Sequence, residues 1–350
     1  MENRRVLVGM SGGVDSSACA LLLQRAGYEA LGMTLDLCDG AASGSIEDAR
    51  AVAGKLGIPF FARSHREAFA RAVVDDFVRS YEAGRTPNPC IQCNRRVKFE
   101  KMLAEADALG CAFIATGHYA RVEYDETRRR WLLKKGCNLA KDQSYVLYRL
   151  TQAQLRRTLM PLGDFESKDA IRALAEEAGL VTARKKDSQD ICFIPDGDYT
   201  AFLQRHGVTL TEGNFVDEHG RVLGRHKGLP CYTTGQRKGL GVGGSPYPLY
   251  VLRKNAEDNT VVLGPEEALY TSRLILAQPN WIALEALTDP VRCTAKTRYS
   301  QTEAAAVVSP LPDGRAEVVF DTPQRAVTAG QSVVLYDGDT VLGGGFICGE

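Results

Sequence analysis

The segment that most constrains this chain is Ser11-Gly12-Gly13-Val14-Asp15-Ser16-Ser17, set between an apolar run at 6–10 and a helix-patterned run at 14–26. Residues 6–10 read as a buried strand, and the helical spacing of 14–26 stops at Gly27. A helix N-terminus leaves backbone N–H groups free and carries partial positive charge. Glycines there let the backbone close on an anion. Ser11, Ser16 and Ser17 can add hydroxyl donors. A serine-capped turn would account for a bare Gly-Gly. The full string between strand and helix reads instead as a phosphate-binding loop. No Gly-Lys-Ser/Thr follows, so it is not a Walker A loop.

The same alternation continues downstream. Strand-like runs at 29–37, 59–63 and 111–116 alternate with helical patterns at 45–56 and 66–81. That rhythm predicts an α/β fold, a doubly wound parallel sheet with helices on both faces. Residues 156–184 read as a small helical insert, and 213–275 are Gly-rich with short strands. From 276 onward the pattern is β only, with runs at 291–299, 304–308, 315–320 and 331–336, as in a small barrel or sandwich. The expected division is 1–155 with 185–205 as the catalytic domain, 156–184 with 206–275 as a central α+β domain, and 276–350 as a C-terminal β-barrel. A chain of 350 residues accommodates two or three such units.

Lys plus Arg and Asp plus Glu number 43 each, which excludes a uniformly basic coat but not local basic faces. Apolar stretches such as 18–23 are too short to span a bilayer, and 1–13 lacks an apolar export core. The expectation is a cytoplasmic protein without a membrane partner. In that setting the ten cysteines are free thiols, metal ligands or catalytic thiols rather than a disulfide framework.

Two cysteines stand out in Asn88-Pro89-Cys90-Ile91-Gln92-Cys93-Asn94-Arg95, beside Arg96 and Lys98. Nearby cations raise a thiol's thiolate fraction. A third is Cys192, in Asp187-Ser188-Gln189-Asp190-Ile191-Cys192-Phe193. Alone, Cys-x-x-Cys fits half a zinc site, a redox pair or nothing, and zinc would normally want a second close pair. Beside a nucleotide loop the chemistry joins up. An adenylated carbonyl carries a good leaving group, a sulfur nucleophile can displace AMP, and a second thiol can resolve a persulfide. Cys38 lies in no motif and is given no role.

The Ser11 loop resembles that of the ATP pyrophosphatases. With Asn88 to Asn94, Ala115-Thr116-Gly117-His118-Tyr119-Ala120-Arg121, Lys141-Asp142-Gln143-Ser144-Tyr145, the Cys192 string, Thr234-Gly235-Gln236-Arg237-Lys238-Gly239-Leu240 and Lys296-Thr297-Arg298-Tyr299, the chain resembles the tRNA-specific 2-thiouridylase (MnmA/TrmU) family along nearly its whole length. The resemblance implies a catalytic domain of the pyrophosphatase-loop (PP-loop) type. It implies ATP-dependent thiolation of the wobble uridine, position 34 of tRNA, through an adenylated base, with release of AMP and pyrophosphate. Gly9, Met10, Ser11, Gly12, Gly13, Val14, Asp15 and Ser16 would cradle ATP, with Asp15 holding Mg²⁺ or the loop itself, and Leu35 and Gly117 would line the site. Cys93 would be the nucleophile and Cys192 the persulfide carrier, ending as a Cys93–Cys192 disulfide. Asn88, Pro89 and Cys90 would face the target base. His118, Lys141, Asp142, Gln143, Arg298, Tyr299 and Gln331 match tRNA-contacting positions. The implied partners are the anticodon stem-loop and a sulfur donor, a cysteine desulfurase or relay protein.

Some family members carry Asp where this chain has Cys90. Cys90, Cys93 and Cys192 could therefore instead hold a 4Fe-4S cluster with one iron open to sulfide. Both routes stand at this point. Three basic clusters fit an RNA substrate: seven Lys or Arg and no acid over 221–256 with Tyr232, Tyr247 and Tyr250 interleaved, Arg128-Arg129-Arg130 with Lys134 and Lys135, and Arg184-Lys185-Lys186. The competing readings are another PP-loop ligase or RNA thiolase, and a non-catalytic RNA-binding protein with a metal at Cys90 and Cys93.

Overall fold

Val6, Leu7 and Val8 are fully buried, and their side chains divide between two apolar clusters. Val6 and Val8 join one cluster and Leu7 the other, as period-two alternation requires of a strand covered on both faces. In the computed structural model, which describes residues 3–38, 43–185 and 191–348, this strand is β1 (Arg5–Gly9). Lys186 of the third basic cluster, and 187–190 of the Cys192 string, lie outside the described residues.

β1 is flanked by β2 (Glu29–Asp36), β3 (Phe60–Ser64), β4 (Phe113–Ala115) and, further along the chain, a two-residue edge strand, Thr158–Leu159. The order is β3-β2-β1-β4-edge strand, with every pairing parallel. Helix α1 (Val14–Arg25) follows β1. The expected helix at 66–81 is present as Arg66–Phe69, Ala70–Val74 and Asp75–Glu82, with π pitch over the middle piece. The doubly wound parallel sheet is thus the architecture of the first domain.

Segment 156–184 packs differently from its expected grouping with 206–275. Thr158–Leu159 pairs with β4, and helix Lys168–Glu177 buries Ile171 and Ala175 in the cluster of Ala18 and Cys19 on α1. Its apolar stripe four residues apart is satisfied by α1, so the segment completes the nucleotide-binding sheet.

Strands β5 (Ala120–Asp125) and β6 (Arg130–Lys135) form a hairpin that leaves the first domain. With the edge strand as β7, the central sheet comprises β8 (Gly213–Val216), β9 (Val222–His226), β10 (Tyr250–Asn255) and β11 (Thr260–Gly264), in the order β10-β11-β8-β9. The last domain contains β12 (Tyr270–Trp281), β13 (Val291–Lys296), β14 (Ala304–Pro310), β15 (Ala316–Arg325), β16 (Ser332–Asp337) and β17 (Thr340–Ile347). They pair as β12-β15-β14-β13-β16-β17, and β17 pairs back to β12, which closes a barrel. The barrel begins at Tyr270, ahead of the expected 276. The hairpin joins it through β6 and β17, with Leu132 in the barrel core and Leu133 in the core of the first sheet.

The barrel also grips the catalytic domain by hydrogen bonds. The Tyr145 hydroxyl donates to the Ser332 carbonyl (2.7 Å), and Asn280 Nδ2 donates to the Tyr148 carbonyl (2.7 Å). The loop before Asn88 is held at Thr86, whose N–H donates to the Ala329 carbonyl (3.1 Å) and whose carbonyl accepts from Gln331 Nε2 (2.8 Å). Among the described residues no helix is long and apolar enough to cross a membrane.

Candidate active site

The chain runs outward from β1 through β2 to β3, then returns to β4 on the other side of β1. The carboxyl ends of β1 and β4 therefore flank a topological switch point, where open α/β sheets bind ligands. The loop after β1 is Met10 to Gly13, and the loop after β4 is Thr116 to Tyr119. They touch closely: a Cβ on Gly117 would lie 2.8 Å from the Asp15 carbonyl carbon and 2.9 Å from the Ser16 nitrogen. Leu35 stands near the carboxyl end of β2.

Gly12 adopts φ +68°, and a Cβ there would lie 2.3 Å from the Ser45 carbonyl oxygen. Only glycine fits on both counts. Gly13 is the extended N-cap of α1 and offers no side-chain cap, so the first turn keeps its N–H groups for a ligand. The loop is cross-braced from within. Ser16 Oγ accepts from the Ser11 N–H (3.1 Å) and donates to the Gly13 carbonyl (3.0 Å), while Ser17 Oγ donates to that same carbonyl (2.9 Å). Met10 is tied to β2 by its N–H to the Met33 carbonyl (2.7 Å), and Gly9 and Val14 close the strand and open the helix.

Asp15 serves the loop. Its Oδ1 accepts from the Tyr119 hydroxyl (2.8 Å) and its Oδ2 from Lys168 Nζ (3.0 Å). Lys185 Nζ donates to the Gly12 carbonyl (3.0 Å) and pairs with Asp48 (2.6 Å). One lone pair on each Asp15 oxygen is thus engaged in holding the loop. Lys168 was invisible to motif reading because it comes from the segment assigned elsewhere.

The second half of the site is a thiol group. Asn88 caps helix Pro89–Gln92 by accepting from the Cys90 N–H (3.1 Å), with Pro89 at the first position. The helix continues with π pitch through Cys93–Phe99. Such widened turns are frequent at functional sites. Cys93 is 6% exposed, within an apolar cluster that includes Phe77, Val97 and Phe202. Desolvation pushes its thiol up to about 12, against the pull of Lys98 and with the charges of Cys192 and Cys90 adding. Cys90 is also raised, by desolvation of its thiol first, although the residue as a whole is exposed.

Cys192 behaves oppositely. The neighbouring Cys38 thiol brings the Cys192 thiol below the usual thiol range, helped by Lys98 and the backbone N–H groups of Cys192 and Phe193, while desolvation opposes. Cys192 is therefore the thiol of the group most biased toward the thiolate, and Cys93 a neutral thiol. Alkylation of Cys192 by iodoacetamide, followed by peptide mass spectrometry, is expected to be half-maximal below the usual thiol value. Below the midpoint the sulfur is protonated and the rate falls. A midpoint at the usual thiol value would contradict the assignment.

Lys98 acts on Cys90, Cys93, Cys192 and His118 together. His118 is lowered to about 3, by desolvation first and by Lys98 second. Its Nδ1 lies 2.8 Å from Thr116 Oγ1 and its ring stacks on Phe99. It is thus a neutral imidazole, suited to hydrogen bonding rather than to pairing with a phosphate.

Other expected tRNA contacts have structural work in this conformation. Asp142 accepts from the Gly136 and Ser144 N–H groups (3.1 Å each), and Gln143 Oε1 accepts from the Tyr119 N–H (3.0 Å). Lys141 N–H closes the same turn onto the Asn138 carbonyl (3.0 Å). Arg298 donates to the Thr234 and Ala326 carbonyls and to Thr328, bridging central sheet and barrel. Tyr299 is 40% exposed and near enough to Cys90 to feel its charge, which brings an aromatic face of the barrel to the thiol site.

The basic clusters are neutralised only in part, and in 221–256 Arg237 and Lys238 stay exposed. Arg128 pairs with Asp125, Lys134 with Glu123 and Asp339, Lys135 with Glu303, Arg184 with Glu176 and Arg221 with Asp217. A basic recess, about 410 Å³ in volume, lies beside the thiol helix and is lined by Arg71, Arg95, Arg96 and Lys101 with Glu100.

Cys90, Cys93 and Cys192 lie within electrostatic reach of one another. Yet among the described residues no three His, Cys, Asp or Glu side chains are grouped as ligands of one metal ion. Cys93 sits in apolar packing, and as arranged the three thiols do not converge on a single metal ion.

Comparison with known proteins matches the same three units. Residues 4–196 match the tRNA methyl transferase HUP domain, 200–265 the tRNA methyl transferase PRC-barrel domain, and 271–347 the aminomethyltransferase β-barrel domain. The chain is 49% identical over 360 residues to the tRNA-specific 2-thiouridylase MnmA of Acetivibrio thermocellus, covering 99% of this chain and 100% of that one. It is 46% identical over 356 residues to the protein of that name from Clostridioides difficile, covering 99% and 98%. The U34-tRNA thiolase NcsA of Methanococcus maripaludis, solved with its 4Fe-4S cluster, aligns at 18% identity and TM-score 0.36 over 59% of this chain and 68% of its own, too weak a likeness to bear on chemistry. Near-half identity along the whole length, on a switch-point nucleotide loop beside paired thiols, establishes that this chain belongs to the tRNA-specific 2-thiouridylase family.

Proposed function

We propose that this protein is an ATP-dependent tRNA sulfurtransferase that converts the wobble uridine, position 34, to 2-thiouridine by a persulfide route. The observation that carries the reading is the division of labour among the thiols: Cys192 held below the usual thiol range, Cys93 buried and held neutral, within electrostatic reach of each other. ATP, delivered as its Mg²⁺ salt, binds with its phosphates on the loop from Gly9 to Ser16, between Leu35 and Gly117. The oxygen on C2 of the uridine attacks the α-phosphate, and pyrophosphate leaves.

Sulfur arrives as sulfane sulfur from a donor persulfide, supplied by a cysteine desulfurase or a relay protein, and passes to the Cys192 thiolate. Cys93 then gives up its proton and attacks the inner sulfur of the Cys192 persulfide. A Cys93–Cys192 bond forms, the sulfur–sulfur bond of the persulfide breaks, and hydrosulfide leaves. The two cysteines are oxidised and the sulfane sulfur is reduced. Hydrosulfide adds to C2, AMP departs and the thiocarbonyl remains. An external dithiol reduces the disulfide for the next cycle.

Asn88, Pro89 and Cys90 face the base, with Tyr299 opposite as a surface on which an everted base can stack. The recess of Arg71, Arg95, Arg96 and Lys101 takes backbone phosphate of the anticodon stem-loop, and the cytoplasm supplies every reactant. The test is stoichiometry. One AMP and one pyrophosphate are expected per 2-thiouridine formed, with no ATP cleavage in the absence of tRNA. Cleavage of ATP without tRNA, driven by a small acid and an amine, would assign the loop to a different ligase.

A further inference from the structure

Arg149 lies just past the string that ends at Tyr145 and belongs to none of the motifs above. It is 8% exposed, and its Nε and Nη1 are buried without a hydrogen-bond partner among the described residues. Its guanidinium rests on a ring, with the central carbon 4.6 Å from the centroid of Phe346 on β17. The backbone on either side is fixed, since Asn280 Nδ2 donates to the carbonyls of Tyr148 (2.7 Å) and Leu150 (3.2 Å). The same segment is tied to the thiol helix. Asn94 Nδ2 donates to the Val146 carbonyl (3.1 Å), and Gln154 Nε2 donates to the Arg95 carbonyl (3.1 Å). Arg149 is thereby within electrostatic reach of Arg95 and Arg96, on the wall of the basic recess, and of Asp76.

We propose that Arg149 clamps the RNA substrate: its guanidinium turns from the Phe346 ring toward the recess and donates its unmet N–H groups to a backbone phosphate of the anticodon stem-loop seated there. The inference rests on the tRNA reading above and adds the residue that grips the backbone from the buried side of the recess.

The charge balance favours a phosphate. Arg71 and Lys101 have carboxylate partners in Glu67 and Glu100, whereas Arg95, Arg96 and Arg149 form no ion pair among the described residues. Asp76 acts on Arg149 only from beyond ion-pair distance, while burial and the two neighbouring arginines work against its charge. A buried cation with unmet donors gains more from an anion than an exposed one does. A phosphate accepts two parallel bonds from a guanidinium fork, and it would give Arg95 and Arg96 the counter-charge they lack. Because the backbone is pinned on both sides, the movement is confined to the side chain, and what it gives up is the contact with Phe346.

The experiment measures binding rather than thiolation. A fluorescent anticodon stem-loop is titrated by anisotropy, without ATP, over a range of salt, and again with single linkages replaced by uncharged methylphosphonates. The native sequence is compared with Arg149→Met. Methionine puts an apolar side chain where an unpaired cation was buried, so the melting temperature is expected not to fall. Affinity is expected to drop about 10-fold, with the salt slope shallower by about one. One linkage whose neutralisation weakens binding to the native protein is expected to have no further effect on the variant. Arg149→Lys, which keeps the charge, is expected to keep the slope. Native affinity and slope in Arg149→Met, or a loss spread evenly over every linkage, would overturn the inference. So would a variant that fails to fold, because Arg149 would then be a packing tie between barrel and catalytic domain. Each of these leaves the tRNA reading standing, whereas a native protein that does not bind the stem-loop would overturn both.

Discussion

Replacing Cys192 by serine is expected to lower 2-thiouridine formation by about three orders of magnitude or more, while tRNA-dependent pyrophosphate release continues. The reason is chemical. A serine oxygen cannot carry sulfane sulfur, and the Cys93 thiol, pushed up to about 12 by desolvation, is held neutral and cannot take its place. The phosphate loop of the adenylation half is carried by β1 and α1. Cys93→Ser is expected to show the same split, but with the sulfur retained on Cys192 because its resolving thiol is gone. The measurement is nucleoside analysis of digested tRNA beside a pyrophosphate assay on the same reaction. Full product from Cys93→Ser would remove Cys93 from the mechanism.

The converse split is expected for Gly12→Ala. Alanine at φ +68° costs about 1–2 kcal/mol in backbone strain alone. Its methyl group would also stand 2.3 Å from the Ser45 carbonyl oxygen, a backbone atom that cannot rotate away. The loop must open, and the N–H groups of α1 lose their aim at the phosphates. Pyrophosphate release is expected to fall by about 100-fold or more, equivalent to about 3 kcal/mol. Sulfur loading of Cys192 by the donor should persist, because that chemistry needs no ATP. Unchanged pyrophosphate release would show that the phosphates bind elsewhere.

How much of this was legible in the sequence follows from the range of each interaction. The β1 loop was readable because strand, glycines and helix start are consecutive and local. So were the barrel strands at 291–299 and 304–308, which alternate cleanly. β17 was not, since Gly343, Gly344 and Gly345 dilute the apolar signal. They are needed there: a Cβ on Gly344 would lie 2.5 Å from the Val333 carbonyl oxygen. The assignment of 156–184 failed for a different reason. Its helical stripe was visible, but which partner buries it depends on Thr158–Leu159, a strand too short to leave a pattern. The hairpin of β5 and β6 likewise serves two cores, because Leu132 and Leu133 face opposite ways.

The site divides along the same line. Cys90, Cys93 and Cys192 were found from local motifs and from the family they resemble. Lys168 was missed because its partner, Asp15, stands more than a hundred residues away along the chain. The basic runs were legible only in part: counting Lys and Arg over a window cannot see that Asp339 and Glu303 come from far along the chain to pair with Lys134 and Lys135. Arg95 and Arg96 passed as mere neighbours of a thiol, yet they line a basic recess beside it.

The most direct test of the central claim locates the sulfur. Protein freed of iron by chelation is incubated with a cysteine desulfurase and cysteine, and the intact Cys192 peptide is weighed before tRNA and ATP are added. The account predicts a peptide heavier by one sulfur atom, and loss of that atom to tRNA as 2-thiouridine when ATP is supplied. A Cys192 peptide of unchanged mass, with thiolation restored only as iron and sulfide are returned, would contradict it.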